Sequence, residues 1–146
     1  MATITIDPNY GYVLLAATST FLMNTLHMIN TGKFRRVAKV AYPAAYAPDS
    51  RTDEDAIRFN CAQRSHANFT ENQVSFLASL MLSGLRFPLT AAVMGLGWSV
   101  SRYVYMAGYS KGGDGKGRYN GSTFYIFQLG LFGLTAYSGV AMVMGW

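Results

Sequence analysis

The placement of charge is what most constrains the fold of this 146-residue chain. No Asp, Glu, Lys or Arg occurs in residues 8–32 or in residues 119–146, and two shorter uncharged stretches, 72–85 and 87–101, flank Arg86. A transmembrane helix needs about 20 mostly apolar residues. The first and last stretches each predict one membrane-spanning helix. The middle pair predicts two more, if the chain turns near the arginine that separates them.

Composition supports the same interpretation and excludes several classes. Charged residues make up 13% of the chain, against about 25% in a typical soluble domain. This excludes a disordered tail and a highly charged coiled coil. The chain has a single cysteine, Cys61, which excludes an internal disulfide framework. The two histidines, His27 and His66, lie too far apart in sequence to predict a metal site.

The basic residues are distributed asymmetrically along the chain. Of twelve Lys and Arg, six lie in residues 33–58, four lie in 102–118, Arg64 is nearby, and Arg86 is alone on the opposite side of a four-helix arrangement. The positive-inside rule therefore places both long connections in the cytoplasm. The alternative is a basic patch for nucleic acid or anionic lipid. Nucleic acid is disfavoured, because the charges flank apolar helices and no recognition motif is present.

These patterns predict an all-α protein, an integral membrane four-helix bundle of up-down topology that forms one domain over residues 1–146. The expected helices cover roughly residues 10–40, 53–86, 88–109 and 121–145. Thr52 is the expected N-cap of the second helix, since acidic residues fill the turn that follows it. A Gly-rich, basic and flexible loop is expected over residues 110–118. A stripe of small residues in the last helix predicts a packing face; it consists of Gly130, Gly133, Ala136 and Gly139.

A stripe of polar residues on the second helix contains the candidate functional residues. Arg64, Asn68 and Glu71 are separated by four and three residues, so they share one helix face. Ionisable residues at membrane depth usually mark a functional cavity or an internal pair. Two interpretations stay open from these residues: a binding site, or a buried Arg–Glu pair that fixes helix packing.

The motif around this stripe resembles a known superfamily. Arg64-Ser-His66-x-Asn68-x-x-Glu71 is similar to the signature of the membrane-associated proteins in eicosanoid and glutathione metabolism, the MAPEG superfamily. Three further segments resemble its type-three microsomal glutathione S-transferases: Val40-Ala-Tyr42-Pro43-Ala-Ala-Tyr46, Phe59-Asn60-Cys61-x-Gln63-Arg64 and Arg102-x-x-Tyr105-x-x-Gly108-Tyr109. One departure is Asn72, where the family often has an aromatic residue.

The resemblance implies a homotrimer that binds glutathione as co-substrate between neighbouring subunits, near the cytosolic face. It implies a glutathione-binding set of Arg35, Arg64, Asn68, Glu71, Tyr105 and Tyr109, with Arg35 from the adjacent subunit. Arg118 is the best match to the arginine that faces the thiol, and Lys116 competes for this role. The chemistry agrees, because glutathione carries two carboxylates and one ammonium group and needs several cations and an anion around it.

The expected function is therefore that of a membrane enzyme, a glutathione transferase or peroxidase. It would act on a lipid hydroperoxide or an electrophilic lipid, in contact with membrane lipid. The expected location is the endoplasmic reticulum membrane, with the outer mitochondrial membrane as a possibility. Two alternatives stay open: a non-enzymatic lipid-binding scaffold of the superfamily, and a prostaglandin E synthase-like isomerase. The residues do not choose between peroxide reduction and conjugation.

Overall fold

The computed structural model describes residues 5–111 and 114–146, and these residues form helices joined by turns, with no strand among them. The elements are α1 (Tyr10–Val37), α2 (Glu54–Gly84), α3 (Pro88–Lys111), a 3-10 helix (Lys116–Gly121) and α4 (Phe124–Met144). The predicted all-α class is confirmed. The 3-10 helix was not predicted; it lies where the sequence indicated a loop. Gly112 and Gly113 of that predicted loop are outside the described residues.

Three long-range hydrogen bonds show that consecutive helices run in opposite directions. The Tyr10 hydroxyl donates to the Met81 carbonyl over 3.1 Å, so the start of α1 lies beside the end of α2. Thr31 donates to the Ala62 carbonyl over 3.4 Å at the other end of the same pair. Arg86 donates to the Trp146 carbonyl over 3.2 Å, which brings the end of α4 to the turn between α2 and α3.

The helices approach closely where glycines face them. A Cβ atom on Gly84 of α2 would lie 2.8 Å from a methyl carbon of Val13 on α1. Deeper in the bundle, Trp98 stacks on Phe76 with ring centroids 3.8 Å apart, and its indole N–H donates to Gln128 over 3.0 Å. This core joins α2, α3 and α4, and it satisfies the indole donor that burial would otherwise leave without a partner.

Two of the helices, α1 and α4, are long and apolar enough to cross a membrane. Their outward surfaces are apolar: Leu15 is 65% exposed and Val143 is 87% exposed. In water such faces would be unfavourable, whereas in a bilayer they are solvated by acyl chains. α2 and α3 do not meet the same composition criterion, so the prediction that all four helices span the membrane stays a prediction.

Helix boundaries differ from the sequence-based expectation by a few residues. α1 ends at Val37 and not near residue 40, because Lys39 adopts a left-handed conformation with φ of 54°. The N-cap of α2 is Asp53, not Thr52: its carboxylate accepts from the Ala56 amide over 3.1 Å. Either side chain can cap a helix, and sequence patterns locate the residue to within one or two positions.

The small-residue stripe of α4 does not form the expected packing face within the chain. Cβ atoms added to Gly133 and Gly139 would meet nothing within 4 Å, whereas one on Gly130 would overlap Met94. The stripe therefore packs at Gly130 and leaves Gly133 and Gly139 without a neighbouring helix in a single chain.

Candidate functional site

Glycines set the position of the 3-10 helix against α3. A Cβ atom on Gly108 would overlap the backbone of Gly117, and one on Gly121 would overlap the backbone at Tyr105. Only residues without a side chain allow the two backbones to approach this closely. The contact fixes the 3-10 helix over the C-terminal end of α3 and sets where Arg118 lies.

A cavity of about 310 Å³ opens beneath this contact, and it is called the Arg64 cavity below. Five of the predicted site residues line it: Arg64, Asn68, Tyr105, Tyr109 and Arg118. They come from α2, α3 and the 3-10 helix, and are separated by up to 54 positions in sequence. Three lining residues were not predicted, namely Tyr119, Ser122 and Tyr125. The chain thus concentrates two guanidinium groups and four phenol hydroxyls at one opening.

Glu71 joins this group through Arg64. The two side chains, two helical turns apart on α2, form a bidentate pair with N···O distances of 2.7 and 3.3 Å. Both remain about half exposed, at 49% and 51%, so within one chain this is not a buried packing pair. An exposed pair contributes little stability. Its geometry is instead suited to present one cation and one anion to a ligand.

A fully buried arginine supports the cavity from behind. The guanidinium of Arg102 donates to the amide oxygen of Asn68 over 2.9 Å, which leaves the amide N–H₂ group as the donor end of Asn68. The ring of Phe124 lies 4.1 Å from the Arg102 guanidinium carbon. Sequence analysis gave Arg102 no role. The sequence did contain a signal for Arg102, because this arginine lies one turn before Tyr105 and directly after an uncharged stretch.

Arg118 is exposed, and its aromatic neighbours hold it at the edge of the cavity. It donates to the Tyr119 hydroxyl over 3.0 Å and lies 6.0 Å from the ring centre of Tyr109. Hydrogen bonding to the hydroxyls of Tyr119 and Tyr109 raises the pKa of Arg118 above its already high ordinary value, so the cation is permanent. Lys116, the competing candidate, is exposed and does not line this cavity.

Arg35 lies elsewhere in the chain. It is 9% exposed, donates to the Ala44 carbonyl over 2.7 Å, and has the Tyr42 ring 4.3 Å from its guanidinium carbon. It borders a separate cavity of about 350 Å³, the Arg35 cavity, which Gln63 and His66 also line. Within one chain the structure therefore does not bring Arg35 together with Arg64.

Two further polar residues, His27 and Asn72, line neither cavity. Both ring nitrogens of His27 are buried without a partner among the described residues. Its ring stacks on that of His66 and lies tilted against that of Phe69, with ring centroids 5.7 and 4.7 Å away. Asn72, at the position where an aromatic residue is common, donates to the Asn68 carbonyl over 2.8 Å and accepts from Gln128 over 3.2 Å. It therefore links α2 to α4.

Comparison with protein families gives one match, which covers residues 13–140 and is described as the MAPEG family. The match includes every residue of both cavities, and the chain belongs to this family. The family includes glutathione-dependent transferases and peroxidases as well as non-enzymatic members. The resemblance at superfamily level is confirmed, and the type-three branch stays a prediction.

Proposed function

Because the chain belongs to the MAPEG family, we propose that it is a glutathione-dependent membrane enzyme of the transferase–peroxidase type. The observation that carries this proposal is the convergence of Arg64, Asn68, Tyr105, Tyr109 and Arg118 on one cavity. These residues belong to three separate elements. A purely structural ion pair would need none of the tyrosines or Arg118.

The charges of the cavity match those of glutathione. Arg64 and Arg118 can each donate charge-assisted hydrogen bonds to a carboxylate or to the thiolate. Glu71 can accept from the ammonium group of the γ-glutamyl residue, and Asn68 offers the amide donor that Arg102 orients. Tyrosine hydroxyls add neutral donors and acceptors on an apolar frame.

The proposed role of Arg118 is to stabilise the thiolate. A free thiol has a pKa of about 8.5, so little of it is ionised at neutral pH. A guanidinium next to the sulfur favours the charged form and lowers the thiol pKa by about 1–3 units. Because Arg118 stays protonated, it acts as an electrostatic partner and not as a base.

Two reactions follow from such a thiolate. In conjugation, the sulfur attacks an electrophilic carbon of a lipid, and the developing alkoxide or carbanion takes up a proton. In peroxide reduction, the sulfur attacks the peroxide oxygen, the O–O bond breaks, and the lipid leaves as an alcohol. A second glutathione then displaces water from the oxidised sulfur and forms the disulfide. Both reactions need the same activated nucleophile.

We further propose that the functional unit is a homotrimer with four spans in each subunit, located in the endoplasmic reticulum membrane. In this arrangement the Arg35 cavity of one subunit faces the Arg64 cavity of the next and supplies a further cation. The two cavities lie on different faces of α2, as a head-to-tail ring requires.

The experiment is a turnover assay on purified protein in detergent. Glutathione is offered with a lipid hydroperoxide and, separately, with an epoxide or an aryl halide. Product formation with either class supports the enzyme and identifies its reaction. Glutathione-independent binding of lipid with no turnover of any of these substrates would favour the non-enzymatic scaffold.

A further inference from the structure

A third cavity, of about 430 Å³, lies at the same end of the bundle but between other elements. The ends of α1 and α3 and the first turn of α2 form it, and it shares no residue with the Arg64 or Arg35 cavities. Three of its lining residues are cationic: Lys33, Arg58 and Lys111. It is called the Lys33 cavity below. The proposed function assigns no role to it.

Two of the three cations form no ion pair within the described part of the chain, and Lys33 lies 5.8 Å from the ring centre of Phe34. Arg58 is paired with Glu54 over 2.6 Å. Lys33 and Lys111 form no ion pair with any described residue. Both lysines are exposed, and together with Arg58 they outnumber Asp55 at this opening, so the local potential is positive. The Nε–H of Arg58 is also buried without an acceptor among the residues described.

Neutral polar groups and apolar surface complete the cavity. Asn30 of α1 donates to the Ser110 hydroxyl of α3 over 2.8 Å, and this bond ties the two helices together at the cavity. Val37 and Ala107 supply apolar walls. One helical turn towards the middle of the bundle, Leu26 and Val104 are each 40% exposed. The cationic opening thus continues into apolar helix surface, the arrangement expected for an amphipathic ligand at a membrane interface.

We propose that the Lys33 cavity binds a phosphate group, and specifically the phosphate of an anionic membrane lipid whose acyl chains lie along α1 and α3. Lys33 and Lys111 supply the charge, and Arg58 and Asn30, which also line the cavity, supply hydrogen-bond donors. Asp55 also borders the cavity and opposes an anion. The site therefore favours a headgroup with one phosphate over one that carries further negative charge near Asp55.

The test measures binding of short-chain lipids to the full-length protein in detergent by thermophoresis. Dioctanoyl phosphatidic acid is expected to bind, with dioctanoyl phosphatidylcholine and inorganic phosphate both weaker. Lys33→Gln combined with Lys111→Gln is expected to weaken phosphatidic acid binding by at least about tenfold, given the attraction of each lysine for an anionic headgroup. Asp55→Asn is expected to strengthen it.

The matched control is Lys39→Gln combined with Lys116→Gln, which removes the same charge from exposed lysines outside the cavity. It should leave the affinity within about twofold of wild type, because these lysines do not line the cavity and screening weakens the attraction of an exposed charge with distance. An equal loss in both double variants, or equal affinity for phosphatidylcholine, would overturn the proposal. Binding of inorganic phosphate as tight as that of the lipid would keep the phosphate site and assign it to a free phosphate.

Discussion

The Arg64 and Arg35 cavities lie next to the same helix and differ in how their arginines are held. Arg64 is half exposed and pairs with the half-exposed carboxylate of Glu71, whereas Arg35 is nearly buried and already bonded to a backbone carbonyl. Successive residues of α2, Gln63 and Arg64, line the two cavities. In the proposed homotrimer, the Arg64 cavity would be an open half of the glutathione site, and the Arg35 cavity of the next subunit would be a more rigid half.

The largest expected effect is the loss of glutathione affinity when the open half is changed. Arg64→Ala and Glu71→Gln should each weaken glutathione binding by about 2–5 kcal/mol, because each leaves a charged ligand group without its partner in a site that the neighbouring subunit of the proposed trimer covers. Isothermal titration in detergent measures this. Arg86→Ala, at the opposite end of the bundle, is the control and should bind normally. Wild-type affinity in a folded Arg64→Ala variant would show that the polar stripe is structural.

The next prediction tests whether the two halves come from different subunits. Arg35→Ala and Arg64→Ala subunits should each be inactive alone. In every trimer that contains both kinds of subunit, one site in three combines an intact Arg64 half with an intact Arg35 half, so about a third of the activity should return. Co-expression with two different affinity tags provides the mixed protein. Activity no higher than that of the single variants would show that the two arginines do not complement each other across subunits, and would contradict the shared site.

A smaller effect is expected from moving the 3-10 helix. Gly117→Ala would force its backbone away from Gly108 and displace Arg118. A shift of about 1 Å at a catalytic group can reduce turnover by up to a hundredfold, so we expect a loss of roughly tenfold in kcat with a smaller change in glutathione affinity. Gly133→Ala, where a Cβ atom meets nothing, is the matched control. Equal kcat values in the two variants would mean that the position of Arg118 is unimportant.

The smallest expected effect is on thermal stability, and it concerns the start of α2, which lies between the loop that follows α1 and the Lys33 cavity. Hydrogen bonding to Arg51 lowers the pKa of the Asp53 carboxyl below its ordinary value. A lowered folded pKa gives stability that is present above the unfolded pKa of about 3.9 and is lost as pH falls through the folded value. Wild type should therefore have a slightly higher Tm than Asp53→Asn near neutral pH, and the difference should vanish in acid. A difference that persists at low pH would contradict this role.

Sequence patterns predicted the elements better than their junctions. Uncharged stretches located the helices, because a periodic or purely apolar segment has few alternatives. They could not distinguish Thr52 from Asp53 as a cap, since both residue types accept the same hydrogen bond. The 3-10 helix was missed because its Gly-rich sequence indicates a loop, and its conformation depends on packing against Gly108.

In the candidate site, too, local patterns predicted some residues, and tertiary packing determined the rest. The spacing of Arg64, Asn68 and Glu71 follows from helix geometry alone, and resemblance to the family added the tyrosines and Arg118. Arg102 was missed because its role depends on a contact between two helices, 34 positions apart in sequence, that no local pattern encodes. The buried, unpartnered nitrogens of His27 are likewise a result of tertiary packing.

The most direct test of the central claim is the ionisation of glutathione bound in the Arg64 cavity. The ultraviolet difference absorbance of the thiolate, measured against pH, should give a thiol pKa about 1–3 units below the free value of about 8.5. Arg118→Ala should return the pKa to near the free value while glutathione still binds, and Lys116→Ala should leave it lowered. A normal thiolate signal at neutral pH in the Arg118→Ala protein would contradict the account and move the role to Lys116 or Arg35.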